Sequence, residues 1–552
     1  MRTAATSDLW WKNAVIYCLD VETFLDTNGD GIGDLRGVIA RLGHLSRLGV
    51  TTLWLNPIHA SPRRDDGYDV TDFYSVHPQI GTLGDFVDLL NEAANHGIRV
   101  MIDLVVNHTS NEHPWFVSAR GDPASPYRDW YVWSDARPDD VRQGIVFPHH
   151  QATTWTHDRK AGAWYFHRFY DFEPDLNAAN PRVRDEILRI MGFWLQLGVA
   201  GFRVDAVPFV LEKPPRGRSK QQIHFEYLRE FRELLQWRVG DAVLLGEANV
   251  PPDQTMPYFA GGDGLHMMFN FWVNQHLFLS LATADARPLA KALRETRKLP
   301  PTAQWAHFLR NHDELDLGRL SAADRNRVFD EFGPQPAMQL YGRGIRRRPA
   351  PMLGDVRRLQ LAYSVVLSLP GTPVLRYGDE IGMGDDLRLK ERAAIRTPMQ
   401  WSAEPNAGFS TAQTLVRPVV GRGVFAYEHV NVEQQRREPG SLLRWTARMI
   451  RLRKQCPEIG WGDWRIVATG ARSVLAIEYR WRGSTIICIH NLAADPCEAS
   501  LRVDGETLSN LIDEEDLRPD RRGTYRIPLE PYGYRWLRCG ELNQALARDV
   551  VG

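Results

Sequence analysis

Three acidic residues stand at the ends of otherwise apolar runs: Asp205 closes GFRVD, Glu247 stands next to last in LLGEA, and Asp313 follows HFLRNH. A carboxylate at the edge of an apolar run costs free energy unless it is used or paired. Here the three are accompanied by His108, Arg203 and His312. Three carboxylates with flanking His and Arg suit glycoside hydrolysis, with a definite division of labour in the retaining geometry. One carboxylate attacks the anomeric carbon, a second with a raised pKa protonates the leaving oxygen, and water or another sugar then takes the covalent intermediate. Arg203, two residues before Asp205, falls on the same side of its strand and is expected to keep that carboxylate ionised and nucleophilic. Residue types alone do not say which acid takes which role. The 18 Trp, 17 Tyr and 22 Phe are in keeping with a sugar ligand, whose apolar ring faces stack on aromatic side chains.

Such side chains must be carried to one place by a repeating frame. Apolar, β-rich runs at 14–19, 50–55, 98–106, 201–205, 242–248, 267–271, 305–310 and 372–377 alternate with helical patterns at 35–48, 84–97, 181–197, 221–238 and 355–369. Eight strands returned by helices read as a (β/α)₈ barrel, with a doubly wound open sheet as the other architecture of the same alternation. In a barrel, polar residues at strand C-termini face the site. Residues 110–178, rich in Trp, Tyr, His, Asp and Pro, are too long for a βα loop and are expected to form an inserted domain over that face. The barrel is then split between 1–109 and 179–461. After a helix at 441–455, alternating runs from 462 to 552 read as a C-terminal β-sandwich.

Other features narrow the class. The 67 Lys and Arg against 68 Asp and Glu leave a net charge of −1, well mixed, which argues against nucleic-acid or membrane-surface partners. No apolar run approaches the roughly 18 residues of a membrane span. The N-terminus shows no apolar stretch before a cleavage site, and the five cysteines are scattered without a CxxC pair, so a cytoplasmic location with reduced thiols is expected. Asp26, Asn28, Asp30, Ile32 and Asp34 set oxygen donors at alternate positions, as in an EF-hand loop, with Gly31 allowing the turn. The twelfth position is Gly37 instead of Glu. His149, His150, His157 and His167 fit no ligand spacing and are expected to be exposed or sugar-facing, and RGIRRR (343–348) to be a solvated or acid-paired loop.

DLVVNHTS (103–110), GFRVDAV (201–207), LLGEAN (244–249) and FLRNHDE (308–314) resemble the four signature segments of glycoside hydrolase family 13, the α-amylase family, and EPDLN (173–177) its fifth. DTNGDGIGD, SPRRDDGYD, RTPMQW, NAGFS and PGSLLRW extend the resemblance to the trehalose synthase and oligo-1,6-glucosidase branches. The resemblance implies Asp205 as nucleophile, Glu247 as general acid/base and Asp313 as transition-state stabiliser, with His108, Arg203 and His312 lining the same glucose subsite. It implies that Asp65 and Tyr68 bind the terminal glucose and that Arg396 closes the pocket behind it, which favours short substrates. It also makes the Asp26–Asp34 loop a structural Ca²⁺ or Mg²⁺ site, and implies a second calcium site at Asn107, Asp175 and Glu212.

Trehalose synthases usually carry Tyr four residues after the nucleophile and Glu five after the stabiliser; Phe209 and Gly318 stand there. Both family residues are thought to hold the released glucose. The expectation is therefore a retaining hydrolase or transglucosylase on short α-glucosides such as maltose, with trehalose synthase as the alternative. A noncatalytic sugar-binding scaffold is the remote one, disfavoured by the presence of all three acids. The expected partner is the small-molecule substrate, with no nucleic acid or membrane; a homo-oligomer is compatible with the sequence.

Overall fold

The computed structural model describes residues 9–139, 141–212, 223–503, 507–513 and 515–539. The start of the helix expected from 221, most of KPPRGRSKQQIHF (213–225) and the tail 540–552 lie outside the described residues.

Eight strands close into a parallel barrel: β1 (Ile16–Leu19), β2 (Thr52–Leu55), β3 (Arg99–Leu104), β4 (Gly201–Val204), β5 (Val243–Gly246), β6 (Met267–Phe269), β7 (Gln304–Phe308) and β8 (Thr372–Arg376). Each pairs with its neighbours in chain order, and β1 pairs with both β2 and β8. All eight expected runs supply a barrel strand; seven are trimmed at the ends, and the seventh strand starts one residue earlier, at Gln304. Helices α1 (Leu35–Leu48), α2 (Leu83–Asn95), α3 (Pro181–Leu197), α4 (Glu226–Arg238) and α5 (Val356–Ser368) fall in the expected segments. Their ends follow local chemistry. Asp34 caps α1 by accepting from the Gly37 N–H, Thr82 and Asp85 form a capping box on α2, and Pro181 opens α3 behind the Asn180 cap.

The strand period of two explains how the barrel builds a site. Inward-facing Cys18, Trp54, Met101, Leu245 and Val374 are fully buried and form one apolar layer. Two residues further along each strand the inward position turns polar: Asp20, Asn56, Asp103, Glu247 and Arg376. Asp20 takes hydrogen bonds from Arg376 and Asn56, and Asp103 accepts from Arg203 at 2.8 Å. A paired polar layer, of which Glu247 is itself a member, thus lies above the apolar floor and underlies Asp205 through Arg203. Breaking one such buried ion pair typically costs about 3–5 kcal/mol, because the remaining charge is stranded.

Between β3 and α3 the chain forms a helix, Pro114–Gly121, and a three-stranded sheet of Trp133–Ser134, Ala163–Phe166 and Trp155–Asp158, in that spatial order. After Leu442–Lys454, a six-stranded antiparallel sheet faces the pair Cys497–Leu501 and Tyr525–Leu529 across a core that includes Ile487, Ile489, Leu501 and Ile527. This C-terminal unit docks on α5, where Ser364 Oγ meets His490 Nε2 and accepts from Trp536 Nε1, both at 3.0 Å. Cys18, Cys456 and Cys488 are buried, and Cys497 and Cys539 are half-buried. No helix among the described residues is long and apolar enough to cross a membrane.

Candidate active site

A cavity of about 680 Å³ opens at the C-terminal ends of the barrel strands and is lined by Asp205, Glu247 and Asp313 together with Asp65, Tyr68, His108 and His312. The size falls within the usual range for small-molecule sites. Residues 144–147, Arg168 and Phe169 of the insert form one wall.

Arg203 is the electrostatic centre. Its guanidinium donates to Asp205 Oδ1 at 2.6 Å and Asp103 Oδ1 at 2.8 Å, and lies 2.8 Å from Glu247 Oε2. It also sits over Trp54, 5.2 Å from the ring centroid. The expectation that Arg203 holds Asp205 ionised needs a correction in degree. Burial outweighs the guanidinium and, with the neighbouring Asp103 and Asp313 charges, lifts Asp205 to about 6. It still ionises below pH 7. Burial lifts Glu247 further, to about 7, against the pull of Arg203 and helped by Asp205 and Asp313. Ala206 follows Asp205 with φ +47° and donates its N–H to Glu247 Oε2 at 3.2 Å, so a strained backbone turn ties the two acids together.

Asp313 goes the other way. Despite burial, His312, Arg392 and Arg396 hold it well below the usual carboxylate range. Arg392 Nη1 and Arg396 Nη2 both donate to Asp313 Oδ1 at 2.9 Å, and His312 Nε2 lies 3.1 Å from Oδ2. Arg392 Nη2 reaches Asp65 Oδ1 at 2.7 Å. Arg396 is buried behind Asp313 and also bonds Asp66, which Arg417 holds from the other side. Tyr68 stacks on His312 and bonds it through its hydroxyl at 2.7 Å, and that hydroxyl donates to Asp103 at 3.2 Å. Burial lowers His108 and His312 to about 4, so both are neutral at pH 7. His108 Nε2 is buried with no hydrogen-bond partner among the described residues, 4.0 Å from Glu173 Oε1.

Sequence reasoning missed two members of the site. Asp103 lay inside an apolar run that read as plain strand; its charge within IRVMIDLVV was the available signal. Arg392 stands only four residues before Arg396, but its partners Asp65 and Asp313 are 327 and 79 residues away in the chain.

The expected metal residues divide. Asp26 accepts from the backbone N–H groups of Asn28, Gly29 and Gly31, and Asp34 accepts from Thr27 and Gly37, so the loop is a closed turn. Gly31 has φ +90°, and a Cβ there would fall 2.0 Å from Thr414 O. The donor set is oxygen-only, the kind Ca²⁺ and Mg²⁺ take. Asp175 and Glu212 meet at Arg168, which donates its N–H to Asp175 at 2.7 Å and its guanidinium to Glu212 at 2.8 Å, with Asn107 beside Asp175. Among the described residues, no group of three or more His, Cys, Asp or Glu is arranged to hold a metal ion. The histidines of the insert are mostly exposed: His150 pairs with Glu391 at 2.9 Å. His113 and His167 are buried, the latter between Thr156 and the Phe169 carbonyl. Arg347 and Arg348 of RGIRRR are acid-paired, with Asp385 and Asp379.

The family model for the α-amylase catalytic domain matches residues 19–331 and 347–462. The chain belongs to the α-amylase family, glycoside hydrolase family 13. It is an enzyme of that family, and a sucrose hydrolase-like C-terminal domain matches residues 483–538. Among family members, trehalose synthase of Thermus thermophilus is 42% identical over 95% of this chain and 55% of its own length. Trehalose synthase of Pimelobacter sp. (strain R48) is 40% identical over 96% of each. The chain therefore spans about half the length of the first relative and nearly all of the second. Among solved structures, an α-amylase from H. orenii aligns with a TM-score of 0.78 at 28% identity, over 96% of this chain and 100% of the other.

Proposed function

We propose that this enzyme interconverts maltose and trehalose, acting as a trehalose synthase through a covalent β-glucosyl intermediate. The observation that carries the reading is the pairing of a pocket closed behind the three acids by Arg392 and Asp65 with relatives at 40–42% identity named trehalose synthase.

In this mechanism the non-reducing glucose enters the closed end. Asp313, fixed by Arg392, Arg396 and His312, receives its ring hydroxyls, and His108 and Asp65 take others. Glu247, protonated up to about pH 7, gives its proton to the glycosidic oxygen while Asp205 attacks C1 from the opposite face. The C1–O4 bond breaks and the Asp205–C1 bond forms. The released glucose turns within the cavity, Glu247 takes the proton of its anomeric hydroxyl, and that oxygen displaces Asp205. Two inversions restore the α configuration, and no atom is gained or lost. If water attacks instead, the product is free glucose. Phe209 and Gly318 favour this second reading, hydrolysis or transfer, because neither offers a polar side-chain group to hold the released glucose. NMR of maltose turnover separates the two: trehalose exceeding free glucose supports isomerisation, and glucose alone overturns it.

A hard cation at Asp26, Asn28, Asp30, Ile32 and Asp34 would clamp the start of α1. At Asn107, Asp175 and Glu212 it would compete with Arg168 for the carboxylates. Chelation is expected to lower the melting temperature by a few degrees, with Ca²⁺ or Mg²⁺ restoring it in calorimetry. An unchanged transition would remove the metal from the account.

A further inference from the structure

The reading above requires the released glucose to stay bound while it turns, and the following inference rests on it. On the open side of Glu247 the wall is made by Phe209, Asn249, Glu314, Asp316, Gly318 and Arg343. Phe209 offers a ring face, itself packed against Phe169 and the Arg168 guanidinium. Gly318 offers no side chain, and a Cβ there would meet Asp316 Oδ1 at 2.9 Å, so the space beside it is already taken by that carboxylate. Glu314 is raised to about 7 by burial and by Asp313, with its side chain only 8% exposed.

Asp316 differs from these. It ends a two-residue strand, Leu315–Asp316, paired to Gly344–Ile345; its side chain is 21% exposed and lines the cavity. Three segments fix its orientation: Asn249 Nδ2 donates to Oδ2 at 2.8 Å, the Gly318 N–H to Oδ1 at 2.8 Å, and Arg343 Nε lies 3.4 Å from Oδ1. Asn249 is two residues beyond Glu247, so the same strand end that carries the acid also orients this carboxylate. Each of its oxygens accepts from this frame and retains acceptor capacity toward the cavity. A preset carboxylate facing a polyhydroxylated leaving group is what two neighbouring sugar hydroxyls can donate to without reorganisation.

We propose that Asp316 holds the departing glucose against the Phe209 face and so sets how the glucosyl-enzyme divides between that glucose and water. It is a specificity-determining residue that touches the acceptor and takes no part in breaking the first bond.

The test compares two donors. Maltose has a sugar leaving group; α-glucosyl fluoride has none. Asp316→Asn is expected to lower the trehalose-to-glucose product ratio from maltose about tenfold, and to raise the inhibition constant of added glucose against α-glucosyl fluoride by a similar factor. The loss of kcat/KM on maltose should exceed that on the fluoride, and Asp316→Glu should recover part of it. Equal losses on both donors, in Asn and Glu variants alike, would mean a structural role and overturn the proposal, as would an unchanged product ratio. If the wild-type enzyme makes no trehalose, the isomerase reading falls by itself. The glucose inhibition constant then decides for Asp316: a rise in the Asn variant supports it, and no change overturns it.

Discussion

The two ends of the cavity are built on different principles. At the closed end, Asp65, Asp66 and Asp313 are interlocked with Arg392, Arg396 and Arg417 through contacts from segments far apart in the chain. At the open end stand an aromatic face, a glycine and the part-exposed Asp316, with Arg343 only loosely placed, 3.4 Å from Asp316 and 4.0 Å from Glu314. Moving any side chain at the closed end strands a buried charge, whereas Phe209 and Gly318 at the open end carry no charge to strand. The end that holds the transferred glucose is thus constrained by its own electrostatics. The end that holds the acceptor is where relatives of one fold can diverge in product.

Substitutions should expose that difference. Asp205→Asn removes the nucleophile and is expected to lower kcat by about 10⁴-fold or more, measured with both maltose and α-glucosyl fluoride; retained turnover would sink the assignment. Next in size, Arg392→Ala leaves Asp65 and Asp313 short of a partner and should cost about 10²-fold in kcat/KM and several degrees of melting temperature. Arg343→Ala at the open end should cost less than about tenfold and shift the product ratio more than the rate. Equal penalties for the two arginines would break the comparison.

The pH profile sharpens it. Burial with like-charged neighbours keeps Glu247 protonated up to about 7, so kcat/KM is expected to fall about tenfold per pH unit above that point as the acid is lost. Below about pH 6, protonation of Asp205 removes the nucleophile, giving a bell. A flat profile from pH 6 to 9 would contradict the assignment of Glu247. The smallest effect is expected from Phe209→Tyr, which adds one hydroxyl to the acceptor wall and should raise the trehalose-to-glucose ratio severalfold.

The barrel strands were legible because each is a short apolar run bounded by turn residues, and the acids were legible because they end those runs. The signature segments carried the family as well. The network that holds the acids was less visible. Asp103 looked like part of a strand, and Arg392 acts through partners brought close only by the closed barrel and its long loops. The sign of a local effect was readable, as with Arg203 beside Asp205, but its weight was not, because burial is a property of the assembled core. The Phe209 and Gly318 departures drew the sequence reading toward hydrolysis, while Asp316, two residues from Gly318, had no pattern to mark it.

The central claim is that the glucosyl-enzyme is captured mainly by the glucose it has just released. The most direct measurement is ¹H and ¹³C NMR of the enzyme with unlabelled maltose in the presence of ¹³C-glucose. The account predicts trehalose that is mostly unlabelled and exceeds free glucose in the early time course. Trehalose carrying the label in proportion to the added glucose, or glucose as the sole product, would contradict it.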